Sequence, residues 1–215
     1  RRSLSAMVWC ARGTATGFPL VRHNVFFSQD SRDEFDDLAA GRLARDPSVY
    51  VCAQDRGADD APPPPGTERF QIIVNAPATG DAPSSSQAET DQCTQSMHAT
   101  LSRAGLTLDL PAQATVLTTP ADFATLFPST GGALYGQASH GWAASFRRPG
   151  SRTRIPGLYC AGGSTHPGAG VPMAALSARL AVDSLLRDHA SMARSHPVAM
   201  PGGMSTRSAR TVASA

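Results

Sequence analysis

The amino-acid sequence predicts a mixed α and β protein. Short runs rich in Val, Ile, Phe and Trp recur between turn residues through the first half, as strands do. Two later segments carry apolar residues at helical spacing. The last strand-like run breaks into a glycine loop and then a helix, "GLYCAGGSTHPGAGVPMAALSARLAVDSLL".

Taken in order, Leu4–Cys10 and Phe18–Phe27 read as strands, and Pro19 places the start of the second at a sheet edge or beyond it. Ser31-Arg32-Asp33-Glu34 matches a capping box and opens a short helix to about Leu38. Ser48–Ala53 is a compact strand. Ala61–Gly66, "APPPPG", is an extended linker. Arg69–Ala76 is the next strand, the expected partner of Ser48–Ala53. Ser86-Gln87-Ala88-Glu89 is a second capping box, followed by Cys93, Met97 and Leu101 on one stripe and a stop at Gly105. That stripe is expected to be core. Ala114–Thr118 reads as a strand, with Thr119 as N-cap and Pro120 as first residue of a short helix. Gly157–Ala161 reads as a strand that ends at Gly162-Gly163. A helix is expected from Pro172 to His189, with Arg179, Asp183 and Arg187 on its wet side. Ala174, Ala175, Ala178, Ala181, Val182, Leu185 and Leu186 form its packed side. Residues after Ala190 have no periodicity and read as a disordered tail.

The chain has 215 residues, 41% hydrophobic and 17% charged, enough for one domain or two small ones with a core. No apolar run approaches the length of a membrane span, and the start does not resemble a signal peptide. The net charge of +2 identifies no partner class, and nothing points to nucleic acid. All 19 basic residues are arginine. The chain opens at Arg1 rather than a methionine, so a fragment is expected. Cys10, Cys52, Cys93 and Cys160 are dispersed without a CxxC pair, which reads as reduced thiols in a cytoplasmic protein.

The corner at Gly157–Pro172 carries the chemistry. A helix start leaves N–H groups unpaired and favours negative charge. Glycines let a bulky anion reach the backbone, so the corner suits a phosphate or a nucleotide. From Phe123 to Val182 there is no Asp or Glu, while Arg147, Arg148, Arg152, Arg154 and Arg179 lie in that span. A tight turn beside solvated arginines is the other reading of the same residues. The loop is neither a Walker A sequence nor a GxGxxG at the start of a Rossmann unit. His166 stands beside Ser164 and Thr165, but no GxSxG elbow accompanies it, so it is read as a loop or ligand contact rather than a catalyst. His140 either lines the same site or lies on the surface. No histidine spacing supports a metal site.

The run "IPGLYCAGGSTHPGAGVPMAALSARLAVDSLL" resembles the carboxy-terminal flavin-binding signature of bacterial carotenoid desaturases of the phytoene desaturase type. "GFPLVRHNVFFSQD", "PSVYVCAQDR", "VNAPATGD" and "ALYGQASHGWAASFRRPG" are similar to the branch acting on 1-hydroxy or 1-methoxy acyclic carotenoids. The resemblance runs from about Arg1 to Asp188 and lacks the family's amino-terminal GxGxxG unit.

It implies the carboxy-terminal part of a flavoprotein fold of the amine oxidase and phytoene desaturase type, without the amino-terminal Rossmann unit. Residues 1–150 would be a substrate-domain portion, 151–190 the strand–loop–helix at FAD, and 191–215 the tail. By motif, Gly162, Gly163, His166, Gly168, Gly170, Val171, Pro172 and Met173 would lie against FAD. The implied reaction is dehydrogenation of a C–C bond in an acyclic carotenoid, with no catalytic acid or base identified. Phe18, Val25, Phe27, Val49, Val51, Ile73 and Trp142 are candidates for the substrate tunnel, each equally readable as ordinary core. Implied partners are the carotenoid and the missing amino-terminal half. Peripheral contact with the inner membrane follows from substrate solubility. A truncated, non-catalytic fragment of such a flavoprotein, or an unrelated nucleotide-binding or hydrolytic domain, are the alternatives.

Overall fold

The computed structural model describes residues 1–57, 65–82, 87–138 and 148–195. Residues 61–64 of the linker, Ser86, His140, Trp142, Arg147 and the tail from residue 196 lie outside the described residues.

The elements are β1 (Ser5–Thr16), β2 (His23–Phe26), α1 (Ser31–Ala39), β3 (Val49–Ala53), β4 (Glu68–Ala76), α2 (Gln87–Arg103), β5 (Thr107–Asp109), β6 (Thr115–Thr118), α3 (Pro120–Leu126) and α4 (Val171–Ser195). The strands form one antiparallel sheet of mixed α and β architecture, ordered β2-β3-β4-β1-β5, with β6 also on β1. β3 pairs with β4 as the sequence led one to expect, Val49 opposite Val74.

β1 is longer than the expected Leu4–Cys10. Its first part pairs with β4 as far as Gly13–Glu68, and its last three residues pair with β5. Gly13 makes the change of partner possible, because a Cβ there would lie 2.1 Å from the Asp109 carbonyl oxygen. β5 itself has too few residues to show a period and was not foreseen. The second expected strand shrinks to His23–Phe26, because Gly17 at φ 88° and Pro19 hold the preceding chain out of the sheet.

Paired residues share a face, so the register sorts the sheet into two sides. Met7, Trp9, Val49, Val51, Ile72 and Val74 face inward and meet the buried Cys93, Met97 and Leu101 of α2. Ala6, Val8, Val25, Tyr50, Ile73 and Asn75 face the other way. Of the proposed tunnel residues, Val49 and Val51 are therefore core, and only Val25 and Ile73 stand on the second face. Phe18 packs edge-on against Phe26 with ring centres 5.1 Å apart, and Phe27 is exposed.

One cap differs from expectation. The N-cap of α1 is Asp30, whose Oδ1 accepts from Arg32 N at 2.7 Å, so Ser31 is already helical. Glu34 is thereby released from capping and turns to the second face of the sheet. Thr119 caps α3 as predicted, in a reciprocal box with Asp122.

The expected strand Gly157–Ala161 does not form. Tyr159 bridges back to Arg152, Cys160 N donates to the Ser151 carbonyl, and Leu158 stays half exposed. The chain thus closes a local loop rather than joining a sheet. α4 begins one residue early, at Val171, and runs through Ser195, past the expected end at His189. Ala190, Met192 and Ala193 are good helix formers, and the next proline is Pro197. Its covered stripe keeps only Ala174 and Ala181 of the expected one. Ala174, Ser177, Ala181, Ser184 and Asp188 pack down, while Val182 is 55% and Leu186 58% exposed.

Candidate functional site

Two features adjoin each other. The first is the loop from Gly162 to Gly170 at the start of α4. Gly162, Gly168 and Gly170 have φ of 130°, 143° and 103°, conformations that residues with a Cβ rarely adopt. A Cβ placed on Gly162 or on Gly170 would meet nothing within 4 Å, so this backbone faces open space. The first turn of α4 holds no acidic residue, and Val171 and Met173 present the N–H groups that a helix start leaves without intrahelical acceptors.

Three groups fix the loop to the helix. Gly162 N donates to Ser177 Oγ at 3.1 Å, and Thr165 Oγ1 donates to the Gly162 carbonyl at 2.8 Å. Ser177 and Thr165 hydroxyls are in direct hydrogen-bond contact. Because Thr165 spends its only proton on Gly162, Ser177 is the donor in that contact. The result is a closed ring: Gly162 N–H to Ser177, Ser177 to Thr165, Thr165 to the Gly162 carbonyl. Ser177 is fully buried, and its own carbonyl accepts from Ser151 Oγ at 3.3 Å. No pattern in the sequence marks Ser177 or Thr165, since a serine in a helix and a threonine in a loop are common.

His166 is exposed, and its backbone N–H donates to the Pro149 carbonyl at 2.9 Å. The expected arginine field is also altered. Arg152 pairs with Asp188, which accepts a 2.6 Å bond from the Tyr159 hydroxyl as well. That bond to Asp188, with some burial, pushes the Tyr159 hydroxyl above its ordinary pKa. Arg148 serves the backbone: its Nη1 donates to the Gly163 carbonyl at 2.9 Å and to the Tyr135 carbonyl at 3.2 Å.

The second feature is a cavity of about 860 Å³ over the outer face of β1 and β4. Ala6, Val8, Ile73 and Asn75 form its floor, Leu38 of α1 one wall and Tyr135 another. The Tyr135 wall lies beside the first residues of the chain, with Ser3 N donating to the Gly136 carbonyl and Leu134 N to the Leu4 carbonyl. It also touches the glycine loop, since a Cβ on Gly136 would lie 2.9 Å from Ser164. Arg148 ties that wall and the loop together. Cavity and loop therefore share a boundary, an arrangement suited to an elongated apolar molecule held beside a flat group on the loop.

The residues present fit a flavin on the grounds of backbone open to space, glycine conformations that keep side chains away, and an acid-free helix start. Among the described residues no set of three or more His, Cys, Asp or Glu could hold a metal ion. No described helix is long and apolar enough to cross a membrane.

No family model matches the chain. It is 54% identical over 212 residues to a hydroxyneurosporene desaturase of Rubrivivax gelatinosus, an alignment covering 98% of this chain and 40% of that protein. It is 48% identical over 193 residues to a hydroxyneurosporene desaturase of Cereibacter sphaeroides, covering 90% of this chain and 38% of the relative. A 4,4'-diapophytoene desaturase (4,4'-diaponeurosporene-forming) of Staphylococcus aureus is 32% identical over 172 residues, 77% of this chain and 34% of its own length. The chain thus spans about 40% of the length of the hydroxyneurosporene desaturases it matches.

Proposed function

Because the chain belongs to the carotenoid desaturase family, we propose that the protein containing it is an FAD-dependent oxidoreductase. It removes hydrogen from a C–C bond of an acyclic carotenoid carrying a 1-hydroxyl or 1-methoxyl group. The observation that carries this reading is the shared boundary between cavity and glycine loop, joined by Arg148.

In this reading Gly162, Gly163, His166, Gly168, Gly170, Val171, Pro172 and Met173 hold the flavin. When bound, the flavin supplies the acceptor for the hydride taken from the substrate. The chain's own residues do the rest. The ring of Gly162, Thr165 and Ser177 holds the loop in its ligand-ready shape. The N–H groups of Val171 and Met173 offer positive potential to the cofactor. Ala6, Val8, Ile73 and Leu38 shed water from the substrate's apolar chain. Residues 1–150 supply the substrate side and 151–190 the cofactor side. The exposed arc of Leu176, Leu180, Val182 and Leu186 is where the portion of the relatives beyond this chain would pack.

The test is to produce the chain with the remainder of its reading frame and record its visible spectrum. A 1-hydroxylated acyclic carotenoid is then added without oxygen. A flavin spectrum that bleaches on addition is expected. Gly168→Glu, at a φ of 143° that a residue with a Cβ rarely adopts, is expected to purify without flavin. A wild-type protein that neither carries nor takes up flavin would overturn the proposal. The loop would then belong to a decayed relative or to a nucleotide site of another kind.

A further inference from the structure

Asn75 is the polar side chain on an otherwise apolar cavity floor of Ala6, Val8 and Ile73. Its orientation is dictated from behind. Glu34, freed from capping and only 2% exposed, lies between Asn75 and Ser48. Glu34 Oε2 accepts from Ser48 Oγ at 2.6 Å and from Ser48 N at 3.1 Å. Glu34 Oε1 accepts from Asn75 Nδ2 at 3.3 Å. A carboxylate is an acceptor, so the amide must turn its NH₂ to Glu34 and its carbonyl oxygen away. Among the described residues, Asn75 Oδ1 accepts no hydrogen bond. At the rim, Ser3 Oγ accepts from Tyr135 N at 3.0 Å and Arg2 is paired with Asp81, while Asp36 and Thr79 also line the cavity.

We propose that Asn75, held by Glu34, is a specificity-determining residue that reads a hydroxyl group on the carotenoid. This rests on the desaturase reading above and deepens it. A hydroxyl donates to Asn75 Oδ1. A methoxyl has no proton to give and sets two acceptors against each other. A hydrocarbon end leaves Oδ1 desolvated and unpaired. A floor whose one polar side chain presents an acceptor therefore favours the alcohol over the ether and over the hydrocarbon.

The test uses the full-length holoenzyme and three acyclic carotenoids of one skeleton, bearing at carbon 1 a hydroxyl, a methoxyl or hydrogen. Anaerobic bleaching of the flavin gives kcat/KM for each. For Asn75→Leu the ratio of hydroxyl to hydrocarbon is expected to fall about tenfold, the value of one neutral hydrogen bond. Glu34→Gln is the second variant. Its new NH₂ donates to Asn75 Oδ1, the amide rotates, and Nδ2 points into the cavity. The ratio of methoxyl to hydroxyl is then expected to rise severalfold. A purely structural role would lower all three substrates in proportion, and unchanged ratios in both variants would overturn the inference. Should Asn75→Leu not fold, the Glu34→Gln ratio alone decides. A wild-type enzyme that acts on none of the three would overturn the desaturase reading, and this inference with it. A wild type that acts while the variant ratios stay fixed overturns only the role of Asn75.

Discussion

Replacing Ser177 by alanine tests the link between the buried ring and the glycine loop. The ring assigns each proton once, so the loss can be followed atom by atom. Without Ser177 Oγ, the Gly162 N–H loses its acceptor at 3.1 Å. Thr165 keeps its bond to the Gly162 carbonyl and loses only a proton it was accepting. One orphaned donor in a partly buried place costs about 2 kcal/mol. Alanine recovers about 0.5 kcal/mol as the better helix former. The net cost of about 1.5 kcal/mol falls on the geometry of the loop, and restoring that geometry on binding would weaken the flavin proposed to bind there about tenfold. The assay is flavin affinity of the full-length protein, by fluorescence on titrating FAD into stripped enzyme, beside its thermal midpoint. Flavin affinity within twofold of wild type, at an unchanged midpoint, would refute the claim that the ring shapes the loop.

Arg56 grips Glu68 through two 2.6 Å bonds, with side chains only 9% and 3% exposed, and Nη1 also donates to the Leu20 carbonyl. Glu68→Ala strands a buried guanidinium, which costs about 3–5 kcal/mol; a clear fall in thermal midpoint is expected, and an unmoved midpoint would contradict the buried pairing. Burial pushes the Cys93 thiol up to about 11, so at pH 8 it is almost wholly protonated as well as covered. Iodoacetamide followed by mass spectrometry should label the exposed Cys10 and Cys160 in the native protein and Cys93 only after denaturation. Native labelling of Cys93 would show that α2 does not pack on the sheet as described.

The sheet and the packing of α2 were legible because their residues carry periods that survive in the sequence. β3 and β4 are short apolar runs, and Cys93, Met97 and Leu101 repeat at one helical step. Thr119-Pro120 announced α3 through local chemistry alone. What failed to show depended on distant partners. Ser31 looked like a cap, yet Asp30 just before it won the position and sent Glu34 to Ser48 and Asn75. Gly157–Ala161 has strand composition but finds only Ser151–Thr153 to pair with. The apolar spacing of α4 pointed to Val182, Leu185 and Leu186 as its packed side, while the covered stripe follows the hydroxyls and carboxylate that the loop needs. The glycine loop was visible as a composition, but the network that shapes it was not, because hydrogen bonds among Ser, Thr and backbone leave no periodic trace.

Arg148 has a mechanical consequence. A single nitrogen, Arg148 Nη1, donates to both the Tyr135 carbonyl and the Gly163 carbonyl. The two carbonyls are thus held within reach of one atom. If the Tyr135 wall swings outward, the Gly163 peptide is drawn with it, or one of the two bonds must break. Filling the cavity and positioning the loop thus become one movement rather than two, with the lever at Arg148.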